Sequence, residues 1–343
     1  MIQTDTQLAT FLDSINDETE LAIDTEFKRV NTYSPVLCLV QIATNSAEAC
    51  IDVLSLVNLD QLFEKLYRND SLWIVHSARQ DIEALYCLSN QIPKQLFDTQ
   101  IAANLTNYPL QISYQALTEK LQNVYLEKAY TRMDWTIRPL PEEAIDYALD
   151  DVRYLLKNYH KLHEKLAIEN KLKWVIEESE ILLNTSLYEM PIYEAWKKVK
   201  GLARLPKKAK LKVAKLAAFR ESQAQLQNKP RKWVISDEKL IQFALDKEAL
   251  SSDTEKKFIN FINNNPEIGS IGLPVKNSGP PTNNEKKQKE RIQMIIAQKA
   301  TQYNLPPELI ANSKAILNYI RGDNSVCFCR GWRYEILQEE LIC

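Results

Sequence analysis

At 343 residues, 45% hydrophobic and 26% charged, the chain has the composition of a globular protein large enough for two or three domains. No apolar run approaches the roughly 20 residues that span a bilayer, and the N-terminus lacks the basic-then-apolar order of a secretory leader, so a non-membrane, non-exported protein is expected. The net charge of -2 conceals an asymmetry: residues 1–190 carry 16 Lys+Arg against 29 Asp+Glu, and residues 191–343 carry 27 against 16.

In chain order, MIQTDTQLATFLDSINDE reads as a helix with Thr4 or Thr6 as its N-cap. Three runs rich in β-branched residues follow, LAIDTEF (21–27), VLCLVQIA (36–43) and EACIDVLS (48–55), with connectors brief enough for an antiparallel meander. NLDQLFEKLY (58–67) has helical periodicity and LWIVHS (72–77) reads as another strand. IEALYCLSN is the next helix, followed by KQLFDTQIAANL (94–105). A meander followed by strand–helix alternation predicts a mixed sheet covered by helices. From about residue 141 to 189 the pattern is helical.

A boundary falls near MPIYEAW (190–196), beyond which YEAWKKVKGL, KAKLKVAKLAAFRESQAQLQ, DEKLIQFAL and DTEKKFINFINN read as short helices. LPVKNSGPPTNNEKK (273–287) has the composition of a linker, and a further helical unit, 285–341, ends the chain. The six cysteines show no disulfide-framework spacing, and no second ligand pair accompanies Cys327 and Cys329. Free thiols and a cytoplasmic location are expected.

Asp24 and Glu26 stand two apart in the first strand, and residues i and i+2 share a face. About 7 Å apart along the strand, two carboxylates repel unless a cation lies between them, and oxygen donors suit hard divalent ions such as Mg²⁺ or Mn²⁺. Taken alone, the pair is as well explained by an exposed edge strand. Asp81 follows the end of LWIVHS, with Ser77 as N-cap of the next helix and Gln80 three residues on. At about 100° per residue it lies at the edge of the stripe formed by Ala78, Ile82 and Leu85, while Glu83 points to solvent. Stabilisation of the helix N-terminus explains Asp81 equally well, and His76 is then an ordinary strand-end histidine.

The third candidate lies in EEAIDYALDDVRYLLKNY (142–159). Asp151 flanks the stripe of Ala148, Val152, Leu155 and Tyr159, and Tyr147 is one turn earlier on the same flank. Asp146 and Asp150 fall on the far side and are expected to be solvated. Together the four acids fit the two-cation device for phosphodiester cleavage, in which one ion activates a water and the other stabilises the leaving oxygen.

Asp24-Thr-Glu26 on a first strand, Asp81 after a later strand and Tyr147-x-x-x-Asp151 on a helix resemble the three motifs of the DEDD exonuclease superfamily, tyrosine branch. FDTQIAANL (97–105), TRMDWTIRPL (131–140), LPPELIANSKAILNYIRG (305–322) and GWRYEILQEEL (331–341) resemble the ribonuclease D family, over essentially the whole chain. The resemblance implies an α/β ribonuclease-H-like catalytic domain (1–190) and all-α HRDC-type modules at 191–272 and 283–343. It implies metal-dependent 3′→5′ trimming of RNA, most naturally tRNA precursors, to nucleoside 5′-monophosphates, with no obligate protein partner. By motif, Asp24, Glu26 and Asp151 would hold the nucleophile-side ion, Mg²⁺ or Mn²⁺. Asp24 would bridge to a second ion with Asp81 helping through water, and Tyr147 would orient the attacking water. Phe27 and His76 become candidate substrate contacts. A DNA 3′→5′ exonuclease shares the motifs, and an inactive nucleic-acid-binding protein is the rival from another class, weakened because all five motif positions are present.

KKVKGLARLPKKAKLKVAK (197–215) carries nine Lys or Arg residues. Lys197, Lys198, Lys200, Lys207, Lys208 and Lys210 are therefore candidate contacts to a nucleic-acid backbone, with a solvated helix face as the alternative. Trp196 and Trp233 are available either to stack on bases or to pack in a core.

Overall fold

The computed structural model describes residues 1–127, 129–269 and 279–341. The chain forms two units, interleaved along the sequence rather than consecutive. The first comprises Met1–Lys28, Leu37–Asn184 and Pro280–Cys343, and the second Arg29–Val36 and Thr185–Gly279.

In the first unit, helix α1 (Asp5–Ser14) opens on a capping box: Thr4 Oγ1 accepts from the Gln7 backbone N–H while the Gln7 side chain accepts from the backbone of Thr4. The strands are β1 (Glu20–Lys28), β2 (Val36–Ala43), β3 (Glu48–Asp52), β4 (Leu72–Val75) and β5 (Gln95–Asp98), in the sheet order β3-β2-β1-β4-β5. β2 and β3 are antiparallel, whereas β1–β4 and β4–β5 are parallel. Parallel neighbours need crossovers. Helix α2 (Asp60–Leu66) leads into β4 and α3 (Arg79–Ser89) connects β4 to β5. KQLFDTQIAANL divides into β5 and α4 (Thr99–Leu105), because Asp98 accepts from the N–H groups of Gln100 and Ile101 and so starts a helix at its own position. Helices α5 (Tyr114–Gln122), α6 (Glu142–Arg153), α7 (Leu155–Ile168) and α8 (Leu172–Glu180) complete the cover. In β2 every residue from Leu37 to Ala43 is buried, as expected of a strand covered on both faces.

Ala144 and Ala148 let α6 approach the sheet closely, packing with Trp135 and Leu140 against Cys38, Leu39 and Cys50. The segment before α6 is pinned by Arg138, whose guanidinium grips buried Asp52 through two hydrogen bonds of 2.5 and 2.7 Å.

The second unit is helical, with α9 (Lys207–Leu226), α10 (Arg231–Val234), α11 (Asp237–Ala244), α12 (Ser252–Asn264) and α13 (Pro266–Gly269). Ile192–Lys198, expected as an α-helix, is a 3₁₀ helix that ends where Val199 turns extended and Gly201 takes a φ of 84°. Val213, Leu216, Ala217 and Phe219 of α9 pack with Ala195, Leu240, Phe261 and Ile268. Trp196 lies half-buried against this core and Trp233 is exposed. Two charged residues, Arg220 and Glu221, are also buried in α9, paired with Asp237 and Arg231.

Of the expected linker, residues 273–278 lie outside the described residues, and 283–287 are helical. Thr282 forms a capping box with Glu285 that starts α14 (Asn283–Gln302), so the polar composition there marks a helix N-terminus. Helices α15 (Pro307–Ile310), α16 (Ser313–Ile320) and α17 (Gly331–Leu337) follow and share the core of the first unit. Trp332 is fully buried and stacks on Trp174 with ring centroids 4.6 Å apart. Its indole N–H donates to Glu178 at 2.9 Å, and Arg333 donates to Glu178 and to the Leu309 carbonyl. Trp332→Ala is expected to cost about 3–5 kcal/mol, read as a lowered urea midpoint of the first unit.

Cys38, Cys50, Cys87 and Cys327 are thiols in no disulfide. Cys329 is disulfide-bonded, contrary to expectation, a pairing that no local spacing announces. Among the described residues, no helix is long and apolar enough to cross a membrane.

Candidate metal centre

Strand alternation brings Asp24 and Glu26 of β1 out half-buried, while Ile23 and Thr25 between and before them are buried. Helix α6 adds Asp151. One carboxylate oxygen from each of Asp24, Glu26 and Asp151 lies within 4.8 Å of the other two. Three oxyanions so close in a partly dehydrated site repel, and the repulsion shows in their protons. Burial, then the charges of Asp81, Asp151 and Glu26, hold the Asp24 carboxyl well above the usual range. Burial with Asp151 and Asp81 pushes Glu26 up to about 9. Burial with Asp150 and Asp81 pushes Asp151 up to about 7. A cation among them reverses all three shifts, and an all-carboxylate donor set selects a hard one. The residues therefore fit a divalent ion.

Asp81 is buried at the start of α3, outside that trio but near enough to act on all three of its protons. Thr25 Oγ1 donates to Asp81 Oδ1 at 2.6 Å. Burial raises Asp81 to about 7, and the Thr25 hydrogen bond opposes the rise. Strand alternation alone turns Thr25 away from Asp24 and Glu26, towards the core. Its hydroxyl instead holds the fourth carboxylate. Thr25→Val, close in shape but without the hydroxyl, should move the Asp81 pKa upward by about one pH unit, followed by carboxyl ¹³C titration of the metal-free protein. An unmoved titration would remove Thr25 from the site.

Ser77 is not the N-cap of α3. It adopts a φ of 67°, and Ala78 occupies the cap with no side-chain bond. Asp98 accepts from the backbone N–H groups of Ser77 and Ala78 at 3.1 and 2.9 Å, the same carboxylate that caps α4. His76 has both ring nitrogens engaged, Nδ1 with Thr99 Oγ1 and Nε2 with the Ile112 carbonyl, each at 3.0 Å. Phe27 lies half-buried towards the end of β1.

Tyr147 sits one turn before Asp151, flanked by Tyr130 and Trp135, with its hydroxyl 3.3 Å from Thr131 Oγ1. Burial, and to a lesser degree the charges of Asp151, Glu26 and Asp24, push it up to about 12, so it keeps its proton at neutral pH. Asp150, expected to be solvated, is ion-paired with Arg153 at 3.0 Å, and Arg153 also pairs with Asp146 and Glu48. Asp151 meets Asp24 and Glu26 while Asp150 meets Arg153, and helix periodicity gives no sign of this ion cluster because Glu48 comes from a distant strand.

Besides Thr25, three positions are not singled out by sequence reasoning. Tyr114 donates to the Asp150 carbonyl at 2.9 Å and so fixes the turn of α6 that carries Asp151. Lys28, at the end of β1, donates to Asp134 at 2.6 Å and ties the 131–140 segment to the strand. Asp98 had a legible signal, an aspartate immediately before Thr-Gln-Ile, which is an N-cap pattern.

Comparison with known proteins gives concordant results. Residues 1–167 match the model of a family described as 3′-5′ exonuclease. The chain is 32% identical to ribonuclease D of Bartonella henselae, over 99% of this chain and 88% of that protein. It is likewise 32% identical to ribonuclease D of Sphingobium indicum, over 96% and 89%. In three dimensions it is similar to Escherichia coli RNase D, with a TM-score of 0.81 at 24% identity, covering 100% of this chain and 99% of that one. It also resembles the catalytic core of RRP6 from Trypanosoma brucei, with a TM-score of 0.58 at 23% identity over 79% and 80%. These two likenesses bear on the fold.

Proposed function

The chain belongs to the ribonuclease D family of 3′→5′ exoribonucleases, and on that premise we propose that it trims tRNA precursors from the 3′ end, with two divalent cations, Mg²⁺ or Mn²⁺, releasing nucleoside 5′-monophosphates. The observation that carries the reading is the meeting of Asp24, Glu26 and Asp151 within 4.8 Å. A structured RNA substrate draws support from the Escherichia coli neighbour, which is described as an exoribonuclease involved in structured RNA processing.

Bound divalent ions supply Lewis-acid activation of water and charge stabilisation at the scissile phosphate. Asp24, Glu26 and Asp151 would hold a divalent ion, and Asp81, held by Thr25, would assist Asp24 with a second. Tyr147 retains its proton at neutral pH, so it acts as a hydrogen-bonding group that orients the attacking water rather than as a base. Phe27 offers a ring for the terminal base, and His76 can offer only its ring face. Lys197, Lys198, Lys200, Lys207 and Lys208 are exposed and Lys210 is half-buried, positions suited to sequence-independent capture of the RNA backbone.

With Mg²⁺ or Mn²⁺, a tRNA bearing a labelled 3′ extension is expected to release labelled mononucleotides, and EDTA is expected to stop the release until metal is restored. Indifference to EDTA would sink the metal reading, and oligonucleotide products would sink the exonucleolytic one. Equal rates on single-stranded DNA would overturn the substrate class.

A further inference from the structure

We propose that the second unit carries a seat for RNA backbone phosphates, in the groove bounded by the β1–β2 connector and by helices α9, α10 and α11. It rests on the reading of the chain as an RNA hydrolase, and it replaces a diffuse basic helix face with a defined site.

The groove has a volume of about 650 Å³, within the roughly 300–1,000 Å³ of ligand-binding clefts. Its walls carry six cations, Arg29, Lys198, Lys200, Arg220, Arg231 and Lys232, against two acids, Asp237 and Glu238. Arg220 is ion-paired with Asp237 at 2.7 Å and Arg231 with buried Glu221, and Asp237 also accepts from the Lys200 backbone N–H at 3.0 Å. The remaining excess is positive and spread over four separate segments of chain, which suits a string of phosphates better than one small anion.

Two buried polar atoms give the groove a built wall. Arg220 is only 2% exposed, and while its Nη1 serves Asp237 and the Ile235 carbonyl, its Nε has no partner. Thr32 Oγ1, contributed by the connector, is buried and also unpartnered. Burying such a group without a partner is unfavourable. Both residues line the groove, and a guanidinium N–H and a hydroxyl offer donors to a ligand that brings only acceptors, as a phosphodiester does. Tyr33, with the Arg231 guanidinium 4.7 Å over its ring, adds the kind of flat surface that unstacked bases lie against. Of the basic run seen in the sequence, Lys198 and Lys200 line the groove while Lys207, Lys208 and Lys210 do not.

The test is fluorescence anisotropy of a labelled 12-nucleotide single-stranded RNA in EDTA, so that binding is read without cleavage. Combined Lys200→Glu and Lys232→Glu should raise Kd at least tenfold near 0.1 M salt. It should also flatten the slope of log K against log salt by about 1.4, for two contacts at about 0.7 each. Thr32→Val should raise Kd about threefold with the slope unchanged, because it removes a hydroxyl and no charge. Lys256→Glu, exposed on α12, should change Kd less than twofold. Binding by the double variant within twofold of the parent, with its circular dichroism intact, overturns the seat. Calorimetry with inorganic phosphate separates the sources: submillimolar phosphate binding that the double variant loses, with RNA binding retained, makes this a free-anion site and also overturns it. Failure of the parent to hydrolyse RNA with Mg²⁺ is scored separately and strikes the hydrolase reading instead.

Discussion

Asp151→Asn is expected to lower the rate of RNA hydrolysis by about 10³-fold or more, whereas Asp150→Asn should lower it by less than about threefold. The two residues are neighbours on α6 and chemically identical, so their difference isolates geometry. Asp151 lies within 4.8 Å of the Asp24 and Glu26 oxygens, and its amide would offer a cation a weaker donor and one charge fewer. Asp150 is held by Arg153 on the other flank, in a half-buried ion pair shared with Asp146 and Glu48. A second readout sharpens the contrast. The Asp150 charge helps keep the proton on Asp151, so Asp150→Asn should tighten metal binding at pH 6–7, measured by Mn²⁺ titration. Comparable rate losses in both variants would refute the assignment of α6 faces.

The second large effect concerns acidity in the absence of metal. In the folded chain Glu26 keeps its proton to about pH 9 against 4.5 when exposed, and Asp81 and Asp151 keep theirs to about 7 against 3.8. Between about pH 4 and 9 the folded state therefore binds more protons than the unfolded one, and raising the pH favours unfolding. This contribution is present in full below pH 4 and disappears by pH 9. The metal-free protein should thus lose Tm between pH 5.5 and 8.5, and Glu26→Gln should lose less, by on the order of 5 °C. Mg²⁺ should raise Tm more at pH 8.5 than at 5.5, since binding must displace the retained protons at the lower pH. A parent and a Glu26→Gln variant with parallel pH profiles would mean that the carboxylates do not share a site.

What could be read from the sequence was local. A period of two placed Asp24 and Glu26 on one face of β1, and a period of 3.6 put Tyr147 and Asp151 on one flank of α6. What could not be read depended on partners far away in the chain. Thr25 meets Asp81 across 56 residues, and the backbone of Ser77 is satisfied by Asp98 of the neighbouring strand rather than by a cap of its own. The closing helical unit, 285–341, was legible as helical, but not that its Trp332 would find Trp174. Amphipathic periodicity states that a face must be covered and is silent on what covers it.

The pairing of β1 with β4 holds Leu21 opposite Trp73 and Ala22 opposite Ile74. In that register the residues that fill the core and the residues of the candidate centre are fixed by one and the same alignment. Shifting the strand by a single residue would turn Asp24 and Glu26 into the apolar interior and bring Leu21 and Ile23 out. Such a chain would pay for its error in stability, not merely in rate, and would be removed as unfolded. Folding thus acts as a proofreading step for the site: molecules that persist in folded form are those in which the ligands are already aligned.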